Sequence, residues 1–313
     1  MKSKYKVFLL LIFLLATFSS DAQDATLWDA SWSNDGKYIA VGGDDNTLRI
    51  YDGESFKLIS RDTLDGEIYR LRWHPTENIL AIVGELEVIQ LLNIETRESI
   101  KLNPTAGSRA IAWNHDGQMI AIADYEGVLT IWSKQGTLLQ TVYKERTMSY
   151  VAVDWHPCKN EIIALTGDVR IIDMKGQLLQ RFKHRKEDVM LLCVEWHQSG
   201  NFFVIGDYGD NYKPYSSLLQ FWNTKYELTK SDDIATAEYR NVNWSNDGDF
   251  LASASESLRI WSKDGKVLYE GKSAEKLWGI DWKSDGKYIV TSSENMTIKI
   301  WNSKAELVKE LEL

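Results

Sequence analysis

An all-β fold, a seven-bladed β-propeller of four-stranded antiparallel blades, is what this sequence predicts, on three observations. A tryptophan recurs at Trp32, Trp73, Trp113, Trp155, Trp196, Trp244 and Trp282, at spacings of 41, 40, 42, 41, 48 and 38 residues. Two positions before each lies Ala30, Leu71, Ile111, Val153, Val194, Val242 or Ile280, so the apolar period is two and each anchor ends a strand. A later strand in every copy closes on Tyr51, Leu92, Trp132, Ile172, Trp222, Trp261 or Trp301. Repeats near 40 residues, each of several short strands, signal a propeller, because one unit cannot bury its own faces and a ring of them can.

The clearest copy, Asp281–Trp301, shows why each element forms. The inner strand ends on Trp282, and Asp285-Gly286 supplies a tight turn, since glycine tolerates the positive φ that such a turn needs. Tyr288-Ile289-Val290 and Ile298–Trp301 are β-branched or aromatic runs of strand length, separated by the loop Glu294-Asn295-Met296. Gly36, Gly117, Gly200 and Gly248 repeat the turn glycine, while Glu77 and Lys159 replace it in copies that carry Pro75 and Pro157. A fourth strand follows each unit, as at Leu138–Tyr143, Leu178–Phe182 and Val267–Glu270. Each anchor hidden between sheets stabilises the ring by about 2–3 kcal/mol.

Three closing strands are Leu48-Arg49-Ile50-Tyr51-Asp52, Leu258-Arg259-Ile260-Trp261 and Ile298-Lys299-Ile300-Trp301. With the period, they make residues 27–313 resemble WD40 repeats. The resemblance implies partner binding on the face that carries the inner-strand starts and the loops between second and third strands. Two departures stand out. No copy has the Gly-His pair before the inner strand, so the family's buried His–Asp network is not expected, and the terminal Asp survives only as Asp52 and Asp173. TolB-like propellers, which also use Trp-Ser-x-Asp-Gly, are the second fold reading.

Residues 1–22 read as a secretory signal peptide. Lys2, Lys4 and Lys6 precede the short apolar run Val7–Phe18, and Ser19-Ser20-Asp21-Ala22-Gln23 offers small residues for cleavage after Ala22. The propeller then fills residues 23–313 of an exported protein, periplasmic or secreted. Too few residues precede blade 1 to lend a strand to the last blade, so Ala305–Leu311 should complete it. Blades 1 and 7 should then close the ring by face-to-face packing. Without the leader the net charge moves from −9 to −11, which disfavours nucleic acid and anionic membranes as partners. Cys158 and Cys193 lie at opposite ends of inner strands, too far apart to bridge.

Function on a repeated scaffold belongs where copies deviate. From anchor to closing residue the distance is 19 in four copies and 17 in two, but 26 in blade 5. The excess is Asp207-Tyr208-Gly209-Asp210-Asn211-Tyr212-Lys213-Pro214-Tyr215. Tyr208, Tyr212 and Tyr215 are suited to gripping a peptide or a sugar. The Asp and Asn oxygens are also of the type that ligates calcium, though Asp-x-x-Asp-Asn is short of a full ligand loop. Trp28 and Trp278 each precede an anchor by four residues in blades that meet at the closure. They would rim the binding face with Tyr69, Arg109, Tyr150 and Arg240, or else pack the seam.

His74, His115, His156 and His197 each follow an anchor and read as turn caps rather than metal ligands. Asp154, Glu195, Asn243 and Asp281, just before anchors, add a polar layer that Arg72 would partly neutralise. Catalytic signatures are absent: no Gly-x-Ser-x-Gly elbow and no paired metal-ligand motif occurs. The expectation is a monomeric, non-catalytic scaffold without cofactor that binds a protein or peptide. A glycan-binding propeller or an extracellular or envelope enzyme is the alternative.

Overall fold

The computed structural model describes residues 25–313, apart from 87, 105, 145–148 and 211–214. The expected leader lies outside the described residues. Within them, seven antiparallel sheets of four consecutive strands each make the blades, and no helix occurs. The inner strands are Asp29–Trp32, Ile68–Trp73, Ser108–Trp113, Ala152–Trp155, Leu191–Trp196, Asn241–Trp244 and Leu277–Trp282. In blade 7, Ile289 pairs with Trp282 on one side and Trp301 on the other, as the alternating pattern requires.

Hydrophobic burial is concentrated in seven clusters, one between each pair of neighbouring blades. Six anchors are buried and Trp113 is half-buried. Blade 7 completes itself with Leu307–Leu311, and among the described residues its sheet takes no strand from another blade. The seam with blade 1 is instead a packed face, with Leu27, Trp32 and Tyr51 against Val290, Ile300 and Leu311. Leu27 N–H donates to Ser293 O at 3.0 Å, Ser292 Oγ to Leu27 O at 2.9 Å, and Tyr51 Oη to Glu312 O at 2.8 Å.

The polar layer is an inter-blade clasp. Trp196 N–H donates to Asp154 Oδ2 at 2.6 Å, Trp244 N–H to Glu195 Oε1 at 3.3 Å, and Trp282 N–H to Asn243 Oδ1 at 3.0 Å. Across the seam, Asp281 Oδ2 accepts from Trp32 N–H at 2.7 Å and Ser31 Oγ at 2.8 Å. The residue before the anchor in blades 4 to 7 therefore holds the anchor amide of the next blade. A buried amide left without such an acceptor would cost roughly 1–3 kcal/mol.

Histidines cap the turns of the lower face. His74 Nδ1 accepts from the N–H groups of Thr76 and Glu77, so Nε2 carries the proton and donates to Gly117 O at 2.9 Å in the next blade. One expectation needs correction: a buried His–Asp pair does exist, in blade 5, where His184 Nε2 lies 3.0 Å from Asp207 Oδ2. His184 follows Lys183 rather than glycine, so the motif misses it. Both cysteines are free, Cys158 exposed and Cys193 buried.

The turn glycines give a paired test. Gly117 has φ +69°, and an added Cβ would lie 2.1 Å from His74 Nε2; Gly286 has φ +71° and nothing within 4 Å. Gly286→Ala should cost only the left-handed backbone, about 1 kcal/mol. Gly117→Ala should cost about 1–2 kcal/mol more, since it also expels the His74 cap. Equal losses in urea unfolding would remove the capping role.

Candidate partner-binding face

On the face where the inner strands start, the residues four before the anchors of blades 6, 7, 1, 2 and 3 gather into one set of contacts. Trp28 and Trp278 meet there across the seam, edge to face with centroids 4.4 Å apart. Tyr69 packs on Trp28 at 5.2 Å, and Tyr125 on Tyr69 at 6.5 Å. The Arg109 guanidinium lies 6.0 Å from the Trp28 ring; that of Arg240 lies 3.6 Å from Trp278 and 5.3 Å from Tyr208. Blades 6, 7, 1, 2 and 3 thus contribute to one arc of half-buried rings and guanidiniums. Such contacts are each worth roughly 0.5–2 kcal/mol and hold the side chains rigid.

Beneath the arc, Arg70 fills the channel. It is buried, which pulls its pKa down to about 10, and it lies 3.8 Å from Asp29. Asp29, also buried, takes Arg72 Nη1 at 3.0 Å and Leu71 N–H at 3.0 Å. Tyr69 Oη donates to Glu67 Oε2 at 2.6 Å, and burial with that carboxylate pushes its pKa far up.

Beside the mouth, between blades 4 and 5, lies a groove of about 510 Å³ lined by Val151, Val189, Met190, Arg181 and Lys183. Met190 is 55% exposed there, an unbranched apolar side chain open to a partner.

The other expected site residues separate. Tyr150 is 1% exposed in the core between blades 3 and 4, so it belongs to packing and not to this surface. Tyr212 lies outside the described residues. Tyr208 reaches the arc through Arg240, whereas Tyr215 turns to Arg185 at 5.6 Å. Asp207 fixes the base of the insert: Oδ1 accepts from Gly209 and Leu218 N–H at 3.0 and 2.8 Å, while Oδ2 faces His184 and Arg185. Its carboxylate is neutralised from within the protein. Tyr125, Arg70 and Arg185 are additions that sequence reasoning missed. Tyr125 sits in the second-to-third-strand loop of blade 3, whose ordinary length gave no signal.

The opposite mouth is acidic. A cavity of about 270 Å³ is lined by Asp154, Glu195, Asn243, Asp281, Arg72 and His115, among others. Burial pushes the Asp281 carboxyl up to about 7, Asp154 up to about 6 and Glu195 well above the usual range. Among the described residues no group of three or more His, Cys, Asp or Glu is arranged to hold a metal ion.

Comparison with known proteins agrees with this architecture. Residues 13–52 and 265–302 match the WD40 family (WD domain, G-beta repeat), and residues 146–280 match the eukaryotic translation initiation factor eIF2A family. The first match begins inside the expected leader. Intraflagellar transport protein 80 homolog of Mus musculus is 24% identical over 58% of this chain and 23% of its own length. SIR4-interacting protein SIF2 of Saccharomyces cerevisiae is 24% identical over 81% of this chain and 56% of its own. WD repeat-containing protein WDS homolog of Arabidopsis thaliana is 21% identical over 88% and 55%. The chain therefore spans less than two thirds of the length of each of these relatives.

Proposed function

We propose that this chain, a seven-bladed WD40-repeat propeller, is a non-catalytic scaffold that binds a protein or peptide across the upper channel mouth in an exported compartment. WD40 propellers generally bind protein partners, and the observation that supports this mouth is the Arg240–Trp278–Trp28–Arg109 row with Tyr69 beside it. Preordered Trp, Tyr and Arg side chains lose little freedom on binding, which is why such residues dominate interface energies. The Met190 groove would take an apolar side chain of the partner, and Tyr208 would grip it laterally. The export reading rests on the basic and apolar start of the chain.

Capture from the native compartment tests this. Trp28→Ala should weaken the recovered complex by tenfold or more, the loss typical of an interface anchor. A drop in melting temperature with affinity intact would assign Trp28 to the seam alone. No protein partner together with binding on a sugar array would replace the scaffold by a glycan-binding propeller. Mass spectrometry of the mature N-terminus should find Gln23, and an intact Met1 would sink the export reading.

A further inference from the structure

Among the described residues, one cation of the upper mouth, Arg109, stands outside the ion pairs that hold the others. Arg109 makes no hydrogen bond and no ion pair among the described residues, and its Nε is shut from water without an acceptor. Burial works against its charge, and so do the neighbouring guanidiniums of Arg70 and Arg240. Arg240 spends its charge on Glu238, and Arg70 and Arg72 share the single carboxylate of Asp29. Half-buried cations are normally offset by an anion, because desolvation without a partner costs several kcal/mol. Among the described residues no carboxylate pairs with Arg109; Asp29, already shared by Arg70 and Arg72, acts on it only from a distance.

We infer that Arg109, framed by Trp28, Tyr69 and Tyr125, seats a single anionic group of the partner peptide, a carboxylate or a phosphate. The inference rests on the scaffold reading and specifies the chemistry of its ligand. A guanidinium pairs with either group through two parallel N–H···O bonds, and the surrounding rings would cover the peptide on both sides. Glu67 and Glu85 stand on the blade 2 rim, near Tyr69 and Tyr125. They would repel negative charge spread along a chain, so the site fits one anion over the channel and disfavours a polyanion such as nucleic acid.

Labelled peptide pools with Glu, phosphoserine, Gln or Lys fixed at the centre of a degenerate background provide the test on the full chain. The Glu or phosphoserine pool should bind about tenfold or more tightly than the Gln and Lys pools, the weight of a charge-assisted hydrogen bond. Which of the two binds better identifies the source of the anion. Arg109→Gln should erase the preference, and Arg109→Lys, which keeps the charge but not the two-point fork, should keep only part of it, with melting curves recorded for both. Should Arg109→Gln fail to fold, the preference of the unaltered protein still decides. Equal binding of all pools, weakened by Trp28→Ala, would overturn the anion site and leave the scaffold reading standing. Binding of none would overturn both.

Discussion

Trp73→Ala should lower the free energy of unfolding by about 3–5 kcal/mol, the usual cost of deleting a large aromatic from a core. Trp73 is 7% exposed. It fills the layer between blades 1 and 2 beside Leu48, Ile50 and Leu71, with the Tyr38 ring stacked at 6.2 Å. The space it leaves cannot collapse easily, because both walls are hydrogen-bonded sheets; Trp73 itself is paired with Leu80. Its indole N–H also donates to Ser31 O at 3.1 Å, tying the layer to the neighbouring inner strand. Trp73→Phe separates the two contributions, since most of the ring area stays while the Ser31 carbonyl loses its donor, at about 1–3 kcal/mol. Urea unfolding of both variants measures this, with an unchanged m-value showing that the ring still unfolds as a unit. A loss below about 1 kcal/mol for the Ala variant would mean that inter-blade burial is not what holds the ring.

The repeat was legible because anchors and closing residues stand at fixed distances along the chain, and strand alternation alone orients them. Closure by Ala305–Leu311 was legible for the same reason. What escaped are contacts between blades, which join residues about a repeat apart and exist only once the ring has formed. Asp154 and Trp196 belong to successive inner strands, and no local pattern says that a carboxylate in one caps an amide in the next. Tyr150 misled for a local reason. The inner strand of blade 4 begins only at Ala152, and Tyr150 N–H bonds to Asp124 O of blade 3. Its side chain therefore turns into the core. His184 was missed because the motif requires a preceding glycine, whereas the geometry needs only an imidazole facing Asp207. Arg109 and Arg240 stand out by their position in the repeat, but their unequal pairing among the described residues, Arg240 bound to Glu238 and Arg109 in no ion pair, comes from loops that the repeat does not specify.

The stability that Asp281 contributes should fall as pH rises from about 4 to 7, so the difference between the unaltered protein and Asp281→Asn should grow over that range. Burial raises the Asp281 carboxyl from 3.8 to about 7, and Asp154 from 3.8 to about 6. Between those limits the folded chain keeps protons that the unfolded chain has released, so rising pH favours unfolding. Their contribution is complete below the unfolded values and lost above the folded ones. For Asp281 alone it amounts to about 2–4 kcal/mol. Arg72 moderates the rise, while Asp29 adds to it; Glu195 and Asp154 line the same cavity, so the carboxyls titrate together. An asparagine keeps one oxygen for both Trp32 N–H and Ser31 Oγ, and it has no charge to bury. Blade 6 already works this way, with Asn243 holding the Trp282 amide. At pH 8 the Asn variant should exceed the unaltered protein by about 2 kcal/mol or more, and at pH 4 the two should nearly coincide. Asp281→Ala should be less stable than the Asn variant at every pH, by about 1–3 kcal/mol, since Trp32 N–H and Ser31 Oγ lose their acceptor at the seam. An Asn variant weaker than the unaltered protein at pH 8 would show that Arg72 holds Asp281 ionised, and that closure of the ring depends on an ion pair rather than on a neutral clasp.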